Sequence, residues 1–192
     1  MSALNYDEDI VADIRARLDK PVVLIGLMGT GKTRLGRMLA TTLDLPFTDS
    51  DDEIEKAGGM TVAEIFDRFG EAYFRDGERR VVKRLLDDGV KVIATGGGAV
   101  MTPETADLIR EKSISLWIRA DLSVMLERTA RNDRRPLLRN GDPEKILQEL
   151  VELRYPVYGR ADIAIDSHSG PVESILSQTL EKLDMFLRNR KS

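Results

Sequence analysis

The sequence contains no cysteine and a single histidine, His168. Without cysteine, disulfides, thiolate nucleophiles and Cys-based zinc or iron–sulfur sites are excluded. One histidine excludes a His-rich metal site and leaves a Ser-His-Asp triad no second histidine for any other task. No apolar run approaches the ~20 residues that span a bilayer. The N-terminus carries Asp7, Glu8 and Asp9 instead of a basic start followed by an apolar stretch, so it does not read as a signal peptide, and it is too acidic for a transit peptide. A basic excess is also missing: 29 Lys and Arg against 33 Asp and Glu leave a net charge of −4. A general nucleic-acid binder needs a positive surface, so nucleic-acid and membrane partners are both disfavoured. The expectation is a cytoplasmic protein.

What is present is enough for one ordinary domain. The 192 residues are 42% hydrophobic and 32% charged, which supports a real core. No internal repeat or low-complexity stretch interrupts them. Residues 7–19 space Ile10, Ile14 and Leu18 four apart, the pattern of a short amphipathic helix. This suggests an N-terminal extension over residues 1–20 and a single domain over 21–192.

Along that domain, short apolar runs alternate with helical patterns. Strands are expected at 21–25, 45–48, 90–95, 113–118 and 161–165. Helices are expected at 32–43, 52–57, 61–69, 71–88, 103–112, 122–130, 143–154 and from 171 onward. Thr61 and Glu64 have capping-box spacing, Thr102-Pro103 and Asp142-Pro143 read as N-caps with proline at the first helical position, and Gly89 is a good helix stop. Residues 131–142 are polar, hold Pro136 and Gly141, and read as a loop. Strand–helix alternation of this kind implies a parallel sheet covered on both faces.

The strongest single signal is Gly26-Leu27-Met28-Gly29-Thr30-Gly31-Lys32-Thr33. It fits G-x-x-x-x-G-K-[ST] between an apolar strand and an amphipathic helix. The glycines let the backbone wrap so that amide groups face phosphate oxygens, and the following helix presents its positive end to the same anion. Lys32 supplies a point charge for the β- and γ-phosphates, and the Thr33 hydroxyl can ligate Mg²⁺. Nucleoside triphosphate binding follows.

Three kinds of phosphate-loop protein compete. A GTPase needs an Asn-Lys-x-Asp segment, which is not found. A motor-type ATPase carries an acid at the end of an apolar strand, but Val92-Ile93-Ala94-Thr95 runs into Gly96-Gly97-Gly98. A small-molecule kinase remains, with acids supplied by the second strand: Asp49, Asp51, Asp52 and Glu53 follow Phe47-Thr48. If the strand is extended, Asp49 and Asp51 point the same way, one toward Mg²⁺ and the other toward an acceptor hydroxyl. The alternative is that these acids cap the next helix, with Asp52 the better cap.

With these motifs the chain resembles the shikimate kinase family from Pro21 onward. The resemblance rests on an ordered set of six segments: the phosphate loop, Asp49-Ser50-Asp51, Gly70-Glu71-Ala72-Tyr73-Phe74-Arg75, Gly96-Gly97-Gly98-Ala99, Arg135-Pro136-Leu137-Leu138 and Arg154-Tyr155-Pro156-Val157-Tyr158. It implies a three-layer α/β phosphate-loop fold with a five-stranded parallel sheet in the order 2-3-1-4-5, helices on both faces and a mobile lid at about 128–142. It implies ATP-dependent phosphorylation of the shikimate 3-hydroxyl, a step of chorismate and aromatic amino-acid synthesis, by a monomer with no obligate protein partner.

Residue by residue, the resemblance places Gly29, Thr30, Gly31, Lys32 and Thr33 on the nucleotide phosphates, and Thr33 and Asp49 near Mg²⁺. Asp51 falls on the acid that binds shikimate hydroxyls and receives or steers the proton. Arg75 and Arg154 fall on the carboxylate-binding arginines, Gly97 on the glycine turn against the ring, Arg135 on the lid arginine that reaches the phosphates, and Arg128 beside adenine. The chemistry agrees: a planar guanidinium grips a carboxylate with two prongs, and phosphoryl transfer needs alignment and charge neutralisation. Taken singly the residues stay ambiguous. Arg75 sits among Asp76, Glu78 and Arg79 as on a solvated helix face, Arg154 suits a helix end, and His168 either touches adenine or is exposed. Trp117 reads as core. Two rivals are less favoured: a kinase for another polyol acid such as gluconate, against which the Gly-Gly-Gly turn and the paired arginines speak, and a nucleotide-sensing protein that keeps the fold without turnover, which would be expected to have lost Asp51 or the arginines.

Overall fold

The apolar run before Gly26 becomes strand β1 (Val22–Ile25), buried along its whole length. A computed structural model of the chain describes residues 8–130 and 141–190. Around β1 lie β2 (Phe47–Asp49), β3 (Val92–Ala94), β4 (Ile114–Arg119) and β5 (Ile163–Asp166), all parallel, in the order β2-β3-β1-β4-β5. Val22 pairs with Val92 on one side and Ile114 on the other, Phe47 with Val92, and Leu116 with Ile163. The sheet order and the covered faces agree with expectation.

The described helices are α1 (Glu8–Arg17), α2 (Lys32–Thr42), α3 (Ser50–Gly58), α4 (Val62–Asp87), α5 (Pro103–Lys112), α6 (Leu122–Ala130), α7 (Pro143–Tyr158) and α8 (Val172–Asn189). Successive strand residues face opposite layers. Val22 and Leu24 join the core formed with α1, α2 and α8, while Val23 and Ile25 join the core under α4, α5, α6 and α7. Trp117 belongs to the second core, edge-on to Tyr155. Burying each such Leu or Ile is worth about 1.5–3 kcal/mol, so both layers hold the sheet firmly. Helix α1 is part of the first layer: Ile14 is fully buried among Leu183 and Leu187, and Arg17 Nη1 donates to Asp184 Oδ1 at 3.1 Å. No described helix is long and apolar enough to cross a membrane.

Several boundaries differ from the sequence expectation. β2 begins at Phe47, not at 45, because Pro46 has no N–H for the ladder; its carbonyl instead accepts from Val92 N at 2.9 Å. The strand ends at Asp49, and Ser50 already opens α3, so Asp49 and Asp51 do not share one extended segment. The cap of α3 is Asp49, whose carboxylate accepts from Asp51 N at 3.1 Å; the expected cap, Asp52, lies inside the first turn. The two helices expected at 61–69 and 71–88 are there, running end to end as α4 and separated by a kink at Gly70, where φ is 80°. The Thr61–Glu64 capping box is formed. α7 continues a turn past Arg154, through Pro156, to Tyr158. Arg154 therefore lies inside the helix and shares a face with Tyr158.

Candidate active site

The C-terminal ends of β1, β2 and β3 meet at one cleft, where a parallel sheet with helices on both faces places its ligands. Between β1 and α2, residues 26–31 wrap the phosphate loop. Gly29 has a φ of 78°, and a Cβ there would lie 2.8 Å from the Met125 carbonyl, so only glycine fits. Gly31 stands in the left-handed region at the α2 N-cap with no side chain over the helix end. Thr30 is buried, and its hydroxyl donates to the Leu27 carbonyl at 2.8 Å. Lys32 Nζ arches over the loop and donates to the carbonyls of Gly26 and Leu27 at 2.9 Å each. The loop thus presents its ammonium and the positive end of α2 on one side.

Thr33 and Asp49 come together beside that end. Thr33 Oγ1 donates to Asp49 Oδ2 at 2.9 Å. This clusters hard oxygen donors next to Lys32, the ligand type Mg²⁺ prefers. Among the described residues no group of three His, Cys, Asp or Glu could cage a metal by itself. The pair instead fits an ion whose remaining ligands are phosphate oxygens and waters.

On the far side of the phosphate loop lies the Gly96-Gly97-Gly98 turn. A Cβ on Gly97 would sit 3.2 Å from the Gly26 carbonyl, so the turn abuts the start of the phosphate loop. Around it converge side chains from three helices. Asp51 Oδ1 would be 2.7 Å from a Cβ on Gly96 and Glu78 Oε1 3.2 Å, Arg154 Nη1 3.3 Å from one on Gly97, and at Gly98 a Cβ would collide with the Arg75 guanidinium. The three glycines are what allow two acids and two arginines this close to the backbone.

Arg75 is not on a solvated face. Its Nη1 donates at 2.7 Å to Glu78 Oε2, and Glu78 is 1% exposed. Burial works against the Arg75 charge, but Glu78 and Glu71 outweigh it and hold the guanidinium above its ordinary pKa. Burial raises the Glu78 pKa, opposed by Arg75 and Arg154. Glu78 Oε1 and Arg154 Nε are buried with no hydrogen-bond partner among the described residues. Buried charged atoms are seldom left so, and two at one turn mark a place for a polar ligand. Asp51 is pushed up to about 6, first by burial and then by the negative charges of Asp49 and Glu78, with Lys32 pulling the other way. The Lys32 influence ties the acid to the phosphate side.

Arg128, on α6, lies against the outer rim of the loop. Its guanidinium donates to Ser167 Oγ at 2.9 Å and the His168 carbonyl at 2.6 Å, and at 3.3 Å to the carbonyls of Gly29 and Thr30. His168 itself is exposed, and its Nδ1 accepts from Gly170 N at 3.2 Å. Arg135 and most of the expected lid lie outside the described residues. Glu78 was not singled out from sequence, though it stands three residues after Arg75 on one helix face. Nor were roles given to Ser50, between the two acids, and Tyr158, four residues after Arg154; that spacing was the available signal.

A phosphate loop facing an acid and two arginines across a glycine turn, on a 2-3-1-4-5 sheet, defines a phosphate-loop kinase for a small molecule. The shikimate kinase family model matches residues 28–184. Shikimate kinase of Rhodopseudomonas palustris is 52% identical over 177 residues, covering 92% of this chain and 87% of the relative. That of Brucella canis is 50% identical over 173 residues, covering 90% and 86%. The solved structure of shikimate kinase from Acinetobacter baumannii in complex with shikimate aligns with a TM-score of 0.83 at 33% identity, covering 94% of this chain and 99% of that one. The chain belongs to the shikimate kinase family.

Proposed function

We propose that the chain transfers the γ-phosphoryl group of ATP to the 3-hydroxyl of shikimate, giving shikimate 3-phosphate and ADP, a step toward chorismate and the aromatic amino acids. The observation that carries this reading is the convergence of Asp51, Arg75 and Arg154 on the Gly96–Gly98 turn, directly beside the phosphate loop. A ring bearing one carboxylate and several hydroxyls matches that set. The guanidinium groups of Arg75 and Arg154 pair with the carboxylate, and the otherwise unpartnered Arg154 Nε gains an acceptor. Gly97 lets the backbone lie against the ring, and Asp51 takes the hydroxyls.

In the reaction, the 3-hydroxyl oxygen forms a bond to the γ-phosphorus as the bond from that phosphorus to the bridging oxygen breaks and ADP leaves. Asp51 accepts the hydroxyl proton; a carboxylate with a pKa near 6 is ionised at neutral pH yet basic enough to help. The amides of Gly29, Thr30 and Gly31, with Lys32, hold the phosphate chain in line. Thr33 and Asp49 would hold Mg²⁺, which when bound neutralises phosphate charge. We assign Arg128 to the adenine side, where burial lowers its pKa and its contacts join the phosphate loop to the segment after β5. The assignment of Arg135 to the phosphates rests on the Arg135-Pro136-Leu137-Leu138 motif. The same reading takes 21–192 as the kinase unit, with residues 1–20 as an extension anchored by α1, acting as a cytoplasmic monomer.

An assay coupled to ADP release tests the reading. Turnover is expected to require both shikimate and Mg²⁺. Equal turnover with gluconate, or none with shikimate, would sink it.

A further inference from the structure

Glycine turns have no side chains to pack, so their position is soft unless something else holds it. The ends of the Gly96–Gly98 turn are held by backbone. Thr95 N and Thr95 Oγ1 both donate to the Leu24 carbonyl, at 3.1 and 3.0 Å, fastening the turn to β1. Downstream, Ala99 N donates to Gly96 O at 3.1 Å and Met101 N to Gly98 O at 3.0 Å, closing a short 3₁₀ turn.

The middle of the turn is held by two hydroxyls. Ser50, the first residue of α3, accepts from Gly96 N at 3.3 Å. Tyr158, near the end of α7, donates its hydroxyl to the Gly97 carbonyl. Both residues are 0% exposed. Each also neighbours a side chain assigned above to the acceptor: Ser50 precedes Asp51, and Tyr158 lies against Arg154, one turn away on the same face. The two hydroxyls therefore reach the Gly96–Gly97 segment from the two helices that carry the acid and one of the arginines.

We infer that Ser50 and Tyr158 are positioning residues for the acceptor: their hydroxyls fix the Gly96–Gly97 segment at a set distance between Asp51 on α3 and Arg154 on α7. Neither hydroxyl touches substrate; that of Ser50 acts through the glycine backbone, and that of Tyr158 through the glycine backbone and its own hydrogen bond with Arg154. A shift of the turn by a fraction of an ångström would move the surface on which the ring rests relative to both its carboxylate clamp and its proton acceptor, and phosphoryl transfer depends on alignment. The inference rests on the acceptor being shikimate, as proposed above.

Ser50→Ala and Tyr158→Phe each remove one hydroxyl and leave the carbon framework in place. Each is expected to raise the KM for shikimate about 3- to 10-fold, the scale of one lost hydrogen bond. Each should also lower kcat severalfold while the KM for ATP stays within about twofold of wild type. The assays run well below the melting temperature of each variant, on protein whose folding circular dichroism has verified. The substitutions lie on different helices, so if one prevents folding the other decides. An unchanged shikimate KM, or a parallel rise for both substrates, overturns the inference while an active wild type leaves the functional reading intact. A wild type that fails to use shikimate overturns that reading first.

Discussion

The two sides of the cleft are built by different means. On the proposed nucleotide side one contiguous segment, residues 26–33, offers backbone amides and the end of α2, and its hydroxyls have partners, Thr30 on Leu27 within the loop and Thr33 on Asp49 of β2. On the proposed acceptor side, side chains from α3, α4 and α7 gather around one glycine turn, and two of their buried polar atoms have no described partner. A backbone cradle spreads its work over many amides. A side-chain clamp concentrates it in a few groups held by tertiary contacts. Single substitutions should therefore hurt more on the acceptor side.

The largest effect is expected from Asp51→Asn, a drop in kcat of about 10²-fold or more, because the proton acceptor is lost while the shape is kept. An unchanged kcat would make Asp51 a binding group only. Next come Arg75→Ala and Arg154→Ala, each raising the KM for shikimate about 10- to 100-fold, the scale of a lost charge-assisted hydrogen bond, with ATP binding unaltered. Isothermal titration with each ligand separately checks this; a matching loss of ATP affinity would erase the contrast between the two sides.

The pH dependence sharpens the same contrast. With Asp51 pushed up to about 6, kcat/KM for shikimate should fall about tenfold per unit as pH drops below 6, a limb absent from Asp51→Asn. The stability effect has the opposite sense. An acid whose folded-state pKa exceeds its unfolded value of 3.8 contributes stability below that value and loses it as pH rises through about 6. Asp51→Asn should thus melt a few degrees higher than wild type at pH 8 and show no such gain at pH 3.5, readable by calorimetry. The smallest effect belongs to Arg128→Ala. It should raise the KM for ATP only a few-fold and leave shikimate untouched, since amides carry most of the nucleotide grip; a hundredfold loss in steady-state kinetics would overturn that view.

The same division explains what could be read in advance. The phosphate loop is contiguous and its spacing has one physical meaning, so Gly29 to Thr33 were recognisable as they stand. Alternation of apolar strands and amphipathic helices was equally plain, and Trp117 is core as its neighbours suggested. The acceptor-side arginines were named only through resemblance, because Arg75 among Asp76, Glu78 and Arg79 looks like any charged helix surface. What makes Arg75 different is that Glu78 turns inward and becomes buried, which no local pattern records. The cap of α3 was misplaced at Asp52 for a related reason. Three acids in a row all suit a helix start, and pairing of β2 with β3 decides where the strand stops.

Composition and short-range pattern alone determined that this chain builds a layered parallel sheet with a triphosphate cradle at one strand end, because local backbone geometry follows from neighbouring residues. Tertiary structure alone decided which of its many charges gather at one turn. Asp51, Glu78 and Arg154 stand far apart in the chain, and only the packing of α3, α4 and α7 over the sheet removes them from water and sets them against the same three glycines.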